Sequence, residues 1–79
     1  MTAIDFALRA EFITLDALLK ATGIAHSGGA AKALVAEGQV RVDGQQELRK
    51  TCKIRAGQVV VLDGVRIRVQ APGEGATSG

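Results

Sequence analysis

Ile4, Phe6 and Leu8 alternate with Asp5, Ala7 and Arg9, the two-residue period of a half-buried strand. The period then lengthens. Leu15, Leu18, Leu19 and Thr22 fall at the i, i+3, i+4, i+7 spacing of one helical face. Thr14 stands before them, where its hydroxyl can accept a hydrogen bond from a free amide of the first turn. Gly23 follows, and glycine closes a helix in the left-handed conformation without a Cβ clash. A second helix is predicted from a Ser27 cap, through an inner face of Ala31, Leu34 and Val35, to Gly38. The link from Gly23 to Ser27 is so short that the two helices must form a tight helix–turn–helix pair.

After Gly38 the period of two returns. Val40 and Val42 face inward and Arg41 outward, because side chains alternate along a strand. Asp43-Gly44 predicts a two-residue hairpin turn with positive φ at both central positions, and the returning strand is expected from Gln46 to Arg49. Cys52 and Ile54 face inward, Lys53 and Arg55 outward, and Ala56-Gly57 turns the chain. Val59 to Leu62 is a continuous apolar run, consistent with a buried strand. Asp63-Gly64 predicts a second hairpin, after which Val65, Ile67 and Val69 alternate with Arg66 and Arg68. From Pro72 onward PGEGATSG offers nothing to bury, so residues 72–79 are expected to be a disordered tail. No internal repeat is visible.

The chain has 79 residues, which points to a single domain, placed over residues 1–71. Such a chain buries only about 60% of the surface that its unfolded form exposes, so the core is small. No secretory signal is legible, and no apolar run approaches the ~20 residues of a membrane-spanning helix. A soluble, cytoplasmic protein with no membrane partner is therefore expected. Cys52 is the only cysteine, which excludes an internal disulfide and fits a reducing compartment. With His26 as the only histidine, a zinc site of the usual kind is excluded.

The formal net charge is only +2, but its distribution is uneven. Between Arg41 and Arg55 the basic residues Arg41, Arg49, Lys50, Lys53 and Arg55 face only Asp43 and Glu47. A local basic patch on an otherwise balanced chain suggests a polyanionic partner, although such a patch can also be a solvated surface.

Catalytic chemistry finds little support. Asp16 sits where a helix dipole favours negative charge, Asp43 makes a turn, and Glu37 is a solvated acid at a helix end. His26 has no neighbouring nucleophile motif, and Cys52, alternating with Lys53, reads as a buried inert thiol. No enzyme, cofactor or small-molecule substrate is expected.

Ser27-Gly28-Gly29 is more informative. Glycine costs about 1 kcal/mol relative to alanine in a helix interior. One reading is that bare backbone lets an anion approach the helix N-terminus, with Lys32 one turn further along. The other is a tight helix–helix turn with no room for a Cβ. Phe6 and Phe12 are the only aromatic residues, and both stand where core residues are expected. With no ring to spare for base stacking, phosphate and shape recognition of folded RNA fits better than single-strand binding.

Taken together, Ile13-Thr14-Leu15-Asp16, Leu18-Leu19-Lys20, Ser27-Gly28-Gly29, Ala31-Lys32, Glu37-Gly38-Gln39-Val40-Arg41-Val42-Asp43-Gly44, Arg49-Lys50, Lys53-Ile54 and Gly57-Gln58 resemble the RNA-binding domain first described in small-subunit ribosomal protein S-four. That domain, the alpha-L motif, recurs in pseudouridine synthases, tyrosyl-tRNA synthetases and small heat-shock proteins. The chain looks most like the stand-alone bacterial YbcJ-like family, and the resemblance covers about residues 13–62. It implies an α/β (α+β) fold: two short helices packed on a small, mainly antiparallel sheet, with RNA lying across the second helix and the following hairpin. It maps RNA contacts to Ser27, Lys32, Arg41, Arg49, Lys50 and Lys53, and charge alternation adds Arg55. Many members place arginine near the start of the second helix, where this chain has Gly28 and Gly29, so side-chain contacts there do not carry over. The expected function is nonenzymatic recognition of structured RNA, such as rRNA or a ribosomal particle. The alternative is an adaptor that docks an acidic partner protein through the same basic face.

Overall fold

A computed structural model describes residues 2–72. The chain runs through β1 (Thr2–Ala7), β2 (Phe12–Thr14), α1 (Leu15–Ala21), α2 (Gly28–Ala36), β3 (Arg41–Val42), β4 (Gln45–Gln46), β5 (Lys53–Arg55), β6 (Val59–Leu62) and β7 (Val65–Gln70). The strands form a five-stranded sheet of order β1-β7-β6-β3-β4 and a separate two-stranded ribbon of β2 and β5. Only β1 with β7 is parallel; the other pairs are antiparallel. Most of the tail expected from Pro72, residues 73–79, lies outside the described residues.

Helices of seven and nine residues are too short to persist alone, since isolated helices under about 12–15 residues are marginal. Packing holds them. Leu15, Leu18 and Leu19 of α1 and Ala31 and Val35 of α2 are fully buried. They join Val40, Val42, Ile54, Val60, Leu62, Ile67 and Val69 in one core. Burying a leucine fully contributes about 1.5–3 kcal/mol. Among the described residues no polar or charged side chain is buried. No helix there is long and apolar enough to cross a membrane.

Both Asp-Gly turns form as the sequence predicts, with φ of 52° and 83° at Asp43 and Gly44 and of 46° and 76° at Asp63 and Gly64. The first is tied to the rest of the sheet: the Asp43 Oδ1 accepts the Val59 amide at 3.0 Å, and its Oδ2 accepts from the Gln58 Nε2 at 3.2 Å. Ser27 caps α2 as expected, its hydroxyl accepting from the Ala30 amide at 3.1 Å. Gly38 ends α2 at φ +78°. A Cβ there would also come within 2.5 Å of the Gln46 Nε2, which donates to the Gly38 carbonyl at 2.9 Å.

Three expectations fail. Thr14 precedes α1 with extended backbone but makes no side-chain cap. The amides of Leu15 and Asp16 instead donate to the carbonyls of Cys52 and Lys50, at 2.9 and 3.0 Å, so a distant backbone segment satisfies the free helix end. The returning strand covers Gln45–Gln46 rather than Gln46–Arg49. The Glu47 amide still donates to the Val40 carbonyl at 3.0 Å, but the Glu47 carboxylate then accepts the Arg49 amide at 2.9 Å where the strand has ended. Phe12 lies outside the core, 36% exposed. It belongs to β2, a strand too short for periodicity to reveal.

Candidate nucleic-acid interface

The ribbon organises one basic surface. Its register pairs Phe12 with Arg55, Ile13 with Ile54 and Thr14 with Lys53. Ile54 is buried, so alternation puts Phe12, Thr14, Lys53 and Arg55 on the opposite, outer side. The Lys53 Nζ lies 4.9 Å from the Phe12 ring centroid and the Arg55 guanidinium carbon 5.7 Å from it, both within cation–π range. The loop after β5 is braced by Gln58, whose Oε1 accepts the Arg55 amide at 2.7 Å while its Nε2 reaches Asp43. This bracing gives Gly57-Gln58 a structural role.

Lys50 continues the surface. Its carbonyl accepts the Asp16 amide, which places it at the start of α1, and the residue is exposed. A shallow depression lined by Thr14, Asp16, Ala17, Lys20 and Gly28 brings the start of α2, with Ser27, beside the same region. Lys32 is exposed on α2. Gly28 has no atom within 4 Å of where a Cβ would stand, and Gly29 only the Ser27 Oγ at 3.8 Å. The helix turn thus has room for a Cβ at both positions, and close helix packing does not explain these glycines.

Arg49 is partly engaged: its Nε lies 3.5 Å from the Glu47 Oε2, with the arginine side chain 80% exposed. The Arg49 amide bonded to the Glu47 carboxyl holds that group below the usual glutamate range, against the opposing effect of burial. Burial, reinforced by neighbouring Glu47, pushes the Cys52 thiol up. The expected burial is only partial: Cys52 is half-buried and precedes β5 rather than lying in it.

Arg41 stands elsewhere. The register matches Arg41 with Val61 and Val61 with Arg66, so Arg41 and Arg66 share a row on the outer face of the five-stranded sheet. The buried residues Val42, Val60 and Ile67 form the neighbouring inward row. Arg68 lies on that outer face too, its Nε 2.8 Å from the Asp5 Oδ1. Among the described residues the only ion pairs are Arg49–Glu47 and Arg68–Asp5. The structure therefore places Lys53 and Arg55 on the ribbon and Lys50 at the start of α1, sets the Gly28 end of α2 across a shallow depression from Thr14 and Asp16, and puts Arg41 in a row with Arg66.

Sequence reasoning missed the exposed ring of Phe12. No signal within β2 gives it: only the pairing with β5, where Ile54 is buried, turns Phe12 and Arg55 outward together.

The S4 domain family matches residues 6–70. "Putative RNA-binding protein YbcJ" of Escherichia coli (strain K12) is 51% identical over 59 residues, covering 75% of this chain and 84% of the relative. "Uncharacterized protein YbcJ" of Shigella flexneri matches with the same identity and coverage. The solution structure of YbcJ from E. coli, described as revealing an alphaL motif involved in RNA-binding, has a TM-score of 0.67 to this chain. It shares 47% sequence identity, with 85% of this chain and 86% of that one covered. The match over nearly all of the described residues, together with these relatives, shows that the chain belongs to the S4 domain family.

Proposed function

We propose that the chain is a nonenzymatic RNA-binding module of the cytoplasm that recognises structured RNA, ribosomal RNA or a ribosomal particle among them, by phosphate and shape contacts. The observation that carries this reading is the exposed cationic surface of Lys50, Lys53 and Arg55 beside the starts of both helices. None of these cations is held by an acid among the described residues, so each can neutralise a phosphate. Ser27, Lys32 and Arg49 extend the surface along α2 and the loop before β5. Arg41 would join only where RNA reaches the outer face of the five-stranded sheet. The family membership and the description of YbcJ support the same function.

Neutralising a phosphate releases condensed counterions, and this gives the test. For about four phosphates, log K should fall with log salt at a slope of roughly −3, taking ~0.7 per phosphate. A filter-binding series against a folded RNA, from low to moderate salt, measures that slope. The freshly purified protein should also carry ultraviolet-absorbing material that nuclease and high salt remove. A flat salt series and no nuclease-sensitive material would overturn the reading and favour docking on an acidic protein.

A further inference from the structure

Phe12 has two surroundings at once. On the ribbon's outer side it lies against Lys53 and Arg55. It also forms one wall of a cleft of about 410 Å³ whose other walls include Phe6, Leu8, Ile13 and Ala21, with Arg9 at the lining. An apolar slot bordered by cations matches one chemistry closely: a flat, apolar ring joined to an anion. We infer that this cleft receives an unpaired nucleobase, stacked on Phe12, with the adjoining phosphate held by Lys53 and Arg55.

The charge complementarity selects this occupant. An apolar peptide side chain would fill the slot but leave the cations unused, whereas a nucleotide satisfies both from a single unit. Aromatic stacking tolerates any base because every base has a π-face, so the cleft selects unpaired nucleotides over paired ones rather than one sequence over another. Folded RNA supplies such bases in loops and bulges. The inference rests on the RNA-binding reading and adds to it a preference for RNA with an unstacked base.

The test compares a hairpin RNA bearing an unpaired loop with a blunt duplex of the same stem. Phe12→Leu should weaken binding to the loop RNA by roughly five- to a hundredfold, the range found for losing one stacked base, and leave duplex binding nearly unchanged. Because the chain has no tryptophan and no tyrosine, Phe12→Trp places a single emitter at the site. Its fluorescence should be quenched by the loop RNA and not by the duplex, a readout that survives even if Phe12→Leu folds poorly. If the wild type binds neither RNA, the RNA-binding reading itself falls. If it binds both and Phe12→Trp shows no selective quenching, only the stacking inference falls. Equal losses on loop and duplex from a well-folded Phe12→Leu would also overturn stacking, since the ring would then merely position Lys53 and Arg55.

Discussion

On the outer face of the five-stranded sheet, Arg41 and Arg66 sit two strands apart, about 10 Å at the usual strand spacing, and Arg68 is held by Asp5 at 2.8 Å. On the β2–β5 ribbon, Lys53 and Arg55 stand over an exposed ring beside Lys50 and the starts of two helices. Each region offers several cations, so net charge does not separate them. Surroundings do. On the sheet face one of the arginines is already neutralised in part. The ribbon face gathers unpaired cations next to an apolar cleft. Local contacts decide phosphate binding, while long-range attraction is screened beyond ~10 Å at about 0.1 M salt.

The strongest test of this contrast removes each cluster in turn. The combined Lys50→Ala, Lys53→Ala and Arg55→Ala variant should lose about two units of salt slope, at ~0.7 per phosphate contact. Its affinity should drop by at least an order of magnitude. Arg66→Ala with Arg68→Ala should cost much less, although it also removes positive charge. Arg41→Ala, sharing its row with Arg66, should behave like the sheet pair and cost less than Lys53→Ala alone. All these side chains are exposed, so thermal melts should hardly move. If the sheet pair proves the costlier loss, RNA lies on the sheet and the ribbon must be abandoned as the site.

Gly44→Val separates the two regions by stability. Gly44 sits at φ +83° with open space around it, so the cost is backbone strain alone. A β-branched residue is badly placed at positive φ, and the loss should be about 1–2 kcal/mol. The strain falls on the hairpin that carries Arg41. Measured well below its lowered melting temperature, the variant should bind RNA almost as wild type does. An unchanged melt would contradict the turn's strain; a large loss of affinity in the folded protein would bring the hairpin into the interface.

What could be read from sequence alone follows from the range of each interaction. Alternation, helical spacing and the Asp-Gly pairs are local, and they located the helices, both hairpins and the buried faces of β3 and β7; the unbroken apolar run of β6 hid that only Val60 and Leu62 are fully inward. The position of α1's start is local and legible, but the capping of its amides is not: they are satisfied from Lys50 and Cys52, more than thirty positions away, and Thr14 looks like a cap whether or not its hydroxyl acts as one. The Arg49, Lys50, Lys53 and Arg55 cluster was visible as a charge run. That Arg41 leaves this cluster for the row of Arg66 depends on strand order, which alternation within one strand does not encode. Hydrophobicity alone puts Phe12 in the core, and only its pairing with β5 turns the ring outward.

The smallest expected effect concerns the helix end that borders the ribbon. Gly28 begins α2 with open space where a Cβ would stand and no positive φ. Alanine fits that backbone and restricts the unfolded chain, so Gly28→Ala should stabilise the fold by about 0.4–1 kcal/mol. The glycine therefore persists at some expense to stability, with no packing need to explain it. If RNA phosphate approaches the bare first-turn amides, an added methyl group should weaken binding a few-fold while the melting temperature rises. Opposite movements of the two quantities are the signature, because damage to the fold would lower both. If affinity stays level as the melt rises, phosphate does not come to this helix end, and the contact surface contracts to Lys50, Lys53 and Arg55.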